Sequence, residues 1–400
     1  MTELADRWGL DPVFFWMRAG WRPKAPVEID DTGVVHVYGH AECAEVYSDP
    51  KTYSANVAAL LLGGDGLDEV LTEGTLTQAD PPKHTKLRRA AGYAFTPQTV
   101  AGLEPAITTI VDELLDAVVG KGRLDLVEDL SYPMPVIVIA DLLGVPHSDR
   151  ELFKKWGDEM IAAAGEVPVE IGDAQRDEID VAAALGHVPE LHEYLREHVA
   201  ERRRNPREDL LTRMIEVEVD GERLSENAVV NFARELLIAG HSTSSAALGN
   251  LLLCLDAHPH QLARLREDPG LAAGAFEETM RFLSPIAGSS RATAADVELA
   301  GVRVSKGSFV RLWLAAANRD ERQFTRPTEF DIDRAPNPHM GFGRGIHFCI
   351  GAPLARLESR IAVTALLDRF PRLRTDPDDL VQFRPADDVL GVSRLTLLTD

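Results

Sequence analysis

One cysteine in a run of glycines, directly ahead of a helix, constrains this chain more than any other feature. The stretch reads GFGRGIHFCIGAPLAR, from Gly341 to Arg356. Gly341, Gly343 and Gly345 have no Cβ, so the segment can take positive φ and bring its backbone close to a flat ligand. After Cys349 the apolar positions Leu354, Leu357 and Ile361 fall at helical spacing, and Pro353 stands in the first turn, where a missing N–H is no loss. This spacing predicts a helix that begins at the cysteine. Orphan N–H groups and the positive end of the helix dipole then face the sulfur and favour the thiolate. A thiolate so held is a metal ligand or a nucleophile.

No Pro/Gly/Ser-rich linker divides the 400 residues, so the chain reads as one large domain over 1–400. The hydrophobic fraction of 45% permits a substantial core, while 64 acidic residues against 42 basic argue against a nucleic-acid partner. Cys43, Cys254 and Cys349 show no paired spacing, which fits a reducing compartment. The opening MTELADRWGLDPVFFW lacks a basic segment followed by an apolar one, and no stretch nears 18 uninterrupted apolar residues. The expectation is a cytoplasmic protein with no membrane association.

Helical patterns dominate, with strand-like segments at 33–37, 302–304 and 309–314. Ser225 suits an N-cap for a helix running to about His258, roughly 50 Å long if unbroken. Its middle, Ala239-Gly240-His241-Ser242-Thr243-Ser244-Ser245, is a small and polar island between apolar turns. Hydroxyls there either bond back to i−4 carbonyls or serve a ligand. The glycine-containing segment 55–77 reads as a loop, and Asp80, Pro81 and Pro82 open a helix that sets His84 and Arg88 one turn apart. Glu278 and Arg281 stand at i and i+3 in FEETMRFLSP.

The sixteen residues around Cys349 resemble the haem-binding signature of the cytochrome P450 family. Phe342, Gly343, Gly345, His347, Cys349, Gly351, Leu354, Ala355 and Arg356 fall at the family's places. The resemblance covers nearly the whole chain from about residue 30, with 1–30 poorly matched. It implies a mainly α fold with a small β region, one large domain and a long central helix. It also implies haem b (iron protoporphyrin IX), with Cys349 as axial ligand to the metal, His84, Arg88, Arg291 and His339 around the propionates, and His347 among the other cofactor-binding residues. Phe342, Gly343 and Gly351 would form the cofactor's bed. Ala239, Gly240, Ser242 and Thr243 would form an oxygen groove, with the Thr243 hydroxyl bonding dioxygen. Glu278, Arg281 and Arg334 would form a buried network that holds the cysteine loop.

By the same resemblance the protein is a monooxygenase acting on a small organic substrate. Its electrons would come from a ferredoxin and a ferredoxin reductase using NAD(P)H, with Lys86, Arg89 and Arg344 as the docking cations. One position departs from the pattern. The family has Asp or Glu immediately before the threonine, and this chain has Ser242, which passes protons but stores no charge. That keeps a peroxygenase, or an oxidative coupling or desaturating enzyme, beside the leading reading. A non-catalytic haem carrier and a zinc site from His339, His347 and Cys349 are the remaining alternatives. Substrate contacts are expected from 55–77, 156–191, 286–290 and 390–392.

Overall fold

Ser225 caps the longest helix as its sequence suggests, accepting a hydrogen bond from the Ala228 N–H at 3.0 Å. The computed structural model describes residues 2–57, 73–149, 151–153, 155–157, 159, 188–384 and 389–400. The expected loop therefore lies outside the described residues over 58–72, and so does most of the expected pocket segment 156–191. Six helices position the site: α1 (Lys83–Gly92), α2 (Glu104–Asp116), α3 (Pro133–Leu143), α4 (Glu226–Ala257), α5 (Ala272–Phe282) and α6 (Ala352–Arg369). The fold is mainly helical with small sheets, and α4 runs for 32 residues. That helix is long and apolar enough to cross a membrane, but 67% of its most apolar window is buried inside the protein.

The chain divides into two compact units. The first comprises Met1–Tyr53, Leu103–Met134 and Thr243–Asp400; the second comprises Ser54–Gly102 and Pro135–Ser242. The division falls within α4.

In the first unit a mixed sheet contains β1 (Val27–Ile29), β2 (Val35–Val37), β3 (Ser289–Thr293) and β4 (Phe309–Leu312), in the order β1-β2-β4-β3. Strand β2 lies antiparallel to β1 and parallel to β4, which is antiparallel to β3. Val27, Val35, Val37, Val310 and Leu312 join Cys43 and Val46 in one buried cluster. Helix α6 packs on α2 and α5. Arg369 pairs with Asp112 at 3.0 Å along the α2 contact.

In the second unit residues 73–77 lie along the start of α4. Gly74 has φ +91°, and a Cβ there would stand 2.4 Å from the Ala228 carbonyl oxygen. Asn231 Nδ2 donates to the Glu73 carbonyl at 2.7 Å. Glu235 accepts from the N–H groups of Leu76 and Thr77 at 2.6 and 2.9 Å, and from Thr77 Oγ1 at 2.6 Å.

Candidate functional site

Two left-handed glycines shape the cysteine loop, with φ +66° at Gly343 and +67° at Gly345. A Cβ on Gly345 would sit 2.5 Å from the Tyr47 carbonyl oxygen, so no larger residue fits without moving the backbone. The Cys349 N–H donates back to the Phe342 carbonyl at 2.8 Å and closes the loop. That bond corrects the expectation that the helix begins at the cysteine. With its N–H turned to Phe342, Cys349 precedes a tight turn, Gly351 occupies the cap position, and α6 starts at Ala352 with Pro353 in its first turn.

The three cysteines differ in setting. Cys43 and Cys254 are fully buried, and burial pushes both thiols up, which keeps them inert. Cys349 is half-buried. A Cβ on Gly351 would stand in ordinary van der Waals contact with its sulfur, at 3.9 Å.

Behind the loop stands a charged cluster that the sequence pattern does not reveal. The Arg356 guanidinium lies 4.6 Å from the centroid of the Phe342 ring. It donates to Glu277 through Nε at 2.6 Å and Nη2 at 2.9 Å. Its hydrogen bond to Glu277 holds Arg356 more firmly protonated, and the neighbouring Cys349 adds to this. His339 Nε2 lies 3.0 Å from the same carboxylate, while His339 Nδ1 accepts from the Gly341 N–H at 3.1 Å. Burial would raise the Glu277 carboxyl, but these two partners bring it down to about 2. His339 thus has both ring nitrogens engaged within the protein. Adjacent glutamates on a helix point about 100° apart, so nothing in FEETMR separates the roles of Glu277 and Glu278.

Glu278 is fully buried and receives two arginines. Arg281 donates through Nε at 2.8 Å and Nη2 at 2.7 Å, and Arg334 Nε reaches both carboxylate oxygens at 3.1 and 3.0 Å. Asp331 N–H and Asn337 Nδ2 complete the shell at 3.0 and 3.2 Å. The arginines in turn donate to backbone carbonyls of Asn318, Thr325, Arg326, Pro327 and Glu329. One carboxylate therefore fixes the segment from 318 to 337 that leads to the cysteine loop.

Also in the first unit, Arg291 on β3 is buried and stacks 4.9 Å from the Tyr47 ring, donating to the Ser290 carbonyl at 2.6 Å. Thr243 and His347 are half-buried. Glu358, on the apolar face of α6 four residues after Leu354, was not singled out by spacing. It is 2% exposed, its carboxyl hydrogen-bonds Ser244, and burial lifts it to about 8 against that bond. The available signal was an acidic residue at i+4 from one buried leucine and i−3 from Ile361.

In the second unit His84 is buried and Arg88 half-buried, one turn apart on α1. On α4, which is buried along most of its length, Ala239 is exposed and Ile238, Gly240 and Ser242 are half-buried, so this stretch of the helix is open. Ser242 Oγ donates to the Ile238 carbonyl at 3.4 Å, the i−4 bond that competes with service to a ligand. A Cβ on Gly240 would meet Ile139 Cδ1 at 2.5 Å, so packing against α3 is reason enough for this glycine. Of the expected docking cations, Lys86 pairs with Glu222 at 2.6 Å and Arg89 with Asp220 at 3.1 Å.

A half-buried cysteine in a loop bent by positive-φ glycines, an aromatic ring beside it and a buried arginine nearby on β3 fit a porphyrin held through sulfur. The arrangement suits a haem-thiolate protein. The cytochrome P450 family model matches residues 23–394, and the chain belongs to that family. It is 42% identical over 342 residues to cyclomarin C epoxidase CymV of Salinispora arenicola, covering 86% of this chain and 85% of that protein. It is 37% identical over 379 residues to the erythromycin C-12 hydroxylase of Saccharopolyspora erythraea, covering 94% and 92%. The crystal structure of HmtN, a post-tailoring hydroxylase involved in himastatin biosynthesis, is 49% identical, with a TM-score of 0.88 over 100% of both chains. The protein is a cytochrome P450 monooxygenase, and its family implies a haem-thiolate cofactor.

Proposed function

We propose that this enzyme inserts one oxygen atom from dioxygen into a small organic substrate, in the cytoplasm, with electrons from a ferredoxin and its NAD(P)H-dependent reductase. All 400 residues would work as one P450 domain, since the family match at 23–394 spans both compact units. The observation that carries this reading is Cys349, the half-buried cysteine among three, held at the head of α6. Cys349 would hold the haem through its sulfur, with Phe342, Gly343, His347 and Gly351 also binding it and His84, Arg88 and Arg291 neutralising its propionates. Bound haem supplies oxygen activation, and thiolate ligation favours O–O cleavage.

The chain's own groups supply position and protons. Ala239 leaves room on the open stretch of α4, and the Thr243 hydroxyl donates at the groove. The Glu358 carboxyl, protonated up to about pH 8, stores a proton next to Ser244, one residue beyond Thr243. Position 242 lacks the family's acid, and this buried carboxyl takes over its storage role.

A second reading is favoured by the Ser242 hydroxyl being turned to its own helix. In it, hydrogen peroxide supplies the oxygen, or the enzyme couples or desaturates. Isotopically labelled dioxygen with ferredoxin, reductase and NADPH decides between them. Label in the product is expected; unlabelled product formed faster with peroxide would favour the second reading.

A further inference from the structure

A buried cation with unused hydrogen-bond donors stands on α4 in the second unit. Arg234 is 1% exposed, and among the described residues neither its Nε nor its Nη1 has a hydrogen-bond partner. Its neighbour in sequence, Glu235, acts on it electrostatically, but that carboxylate is committed to Leu76 and Thr77 through three hydrogen bonds. Burial pushes the guanidinium down and Glu235 offsets this only in part. Arginine keeps its proton in proteins, so the charge remains beside Glu235 while Nε and Nη1 stay without acceptors among the described residues. Thr75, in the segment laid along α4, is 7% exposed, and its hydroxyl is also unpartnered.

We propose that Arg234 anchors a carboxylate of the substrate, so that the enzyme takes organic acids; this rests on α4 lining the substrate site. The missing partner must accept several hydrogen bonds and carry negative charge. A carboxylate matches the planar guanidinium fork with two parallel bonds. A dianion such as phosphate would sit worse beside Glu235. Eight residues, or about 12 Å of helix, separate Arg234 from Ser242, which suits an acid whose reacting carbon lies a long chain away from its carboxylate.

The test compares dodecanoate with 1-dodecanol on haem-loaded wild type, R234M and R234K. Binding is read by calorimetry, and Tm is measured without ligand. Wild type should bind the acid at least tenfold tighter than the alcohol. R234M should lose that preference, bind the alcohol as wild type does, and melt within a few degrees of it, because the guanidinium removed made no hydrogen bond through Nε or Nη1. R234K should keep part of the preference, lacking the fork.

Equal affinity of wild type for both probes would overturn the proposal, as would a preference that survives in R234M. A ligand-free R234M melting several degrees lower would show that the chain itself pairs this arginine, and would overturn it too. Should R234M not fold, an undiminished preference in R234K overturns it. Failure of the haem-thiolate reading would appear separately, as an absent thiolate band in the reduced, carbon-monoxide-treated wild type, with the calorimetric comparison still readable.

Discussion

Ser244 on α4 hydrogen-bonds the buried carboxyl of Glu358 on α6, within the unit that holds Thr243 and Cys349. Burial outweighs that bond, so the carboxyl ionises at about 8 in the folded protein against an ordinary 4.5. Below about pH 4.5 folded and unfolded chains both hold this proton. Between there and about 8 only the folded chain does, so stability falls as pH rises, by a few kcal/mol in all at the order of magnitude. Denaturant unfolding of wild type and Glu358→Gln at pH 5 and pH 9 checks this. The variant should gain on wild type at the higher pH; parallel curves would contradict it.

Removing Glu278 leaves two buried guanidinium groups unpaired. Glu278→Ala should lose about 3 to 5 kcal/mol. It should also fail to retain haem, because the segment from 318 to 337 loses its common acceptor. Denaturation midpoints and haem content per chain measure both, and a variant with full haem content would contradict the account.

At Gly345 the backbone leaves no room for a methyl group and takes a left-handed conformation. Gly345→Ala should cost about 2 kcal/mol or more, part of it conformational strain. Thermal unfolding checks this; an unchanged Tm would mean that the loop does not need its shape.

Ser242 carries no storable proton at the place where the family has a carboxylate. Ser242→Asp should raise dioxygen-supported turnover on the order of tenfold, a fraction of what a full general acid contributes. It should also lower peroxide release per NADPH consumed. No change in either would show that the Glu358 carboxyl and solvent already deliver protons without limit.

The cysteine loop and the long helix were legible because each rests on spacing, glycines before a cysteine and Ser225 before an apolar period. The Glu278 network was legible only through the family resemblance, since Glu and Arg one turn apart are equally common on a solvated face. The start of α6 was misread because one backbone bond, from Cys349 to Phe342, competes with the first helical turn and leaves no mark in composition. The pairing of His339 with Glu277 was not legible for a related reason. The two stand 62 residues apart in sequence, and neither residue alone signals the pair. Glu358 was visible as an acid on an apolar face, but periodicity does not distinguish a buried carboxyl from one that reaches solvent. Arg234 reads as ordinary helix polarity until burial shows that two of its nitrogens have no acceptor among the described residues.

The central claim is that Cys349 grips haem iron as a thiolate. The reduced, carbon-monoxide-bound spectrum of wild type and Cys349→Ser tests it most directly. The account predicts a strongly red-shifted Soret band in wild type and its loss in the variant. A wild type without that band, or a variant that keeps it, would contradict the account.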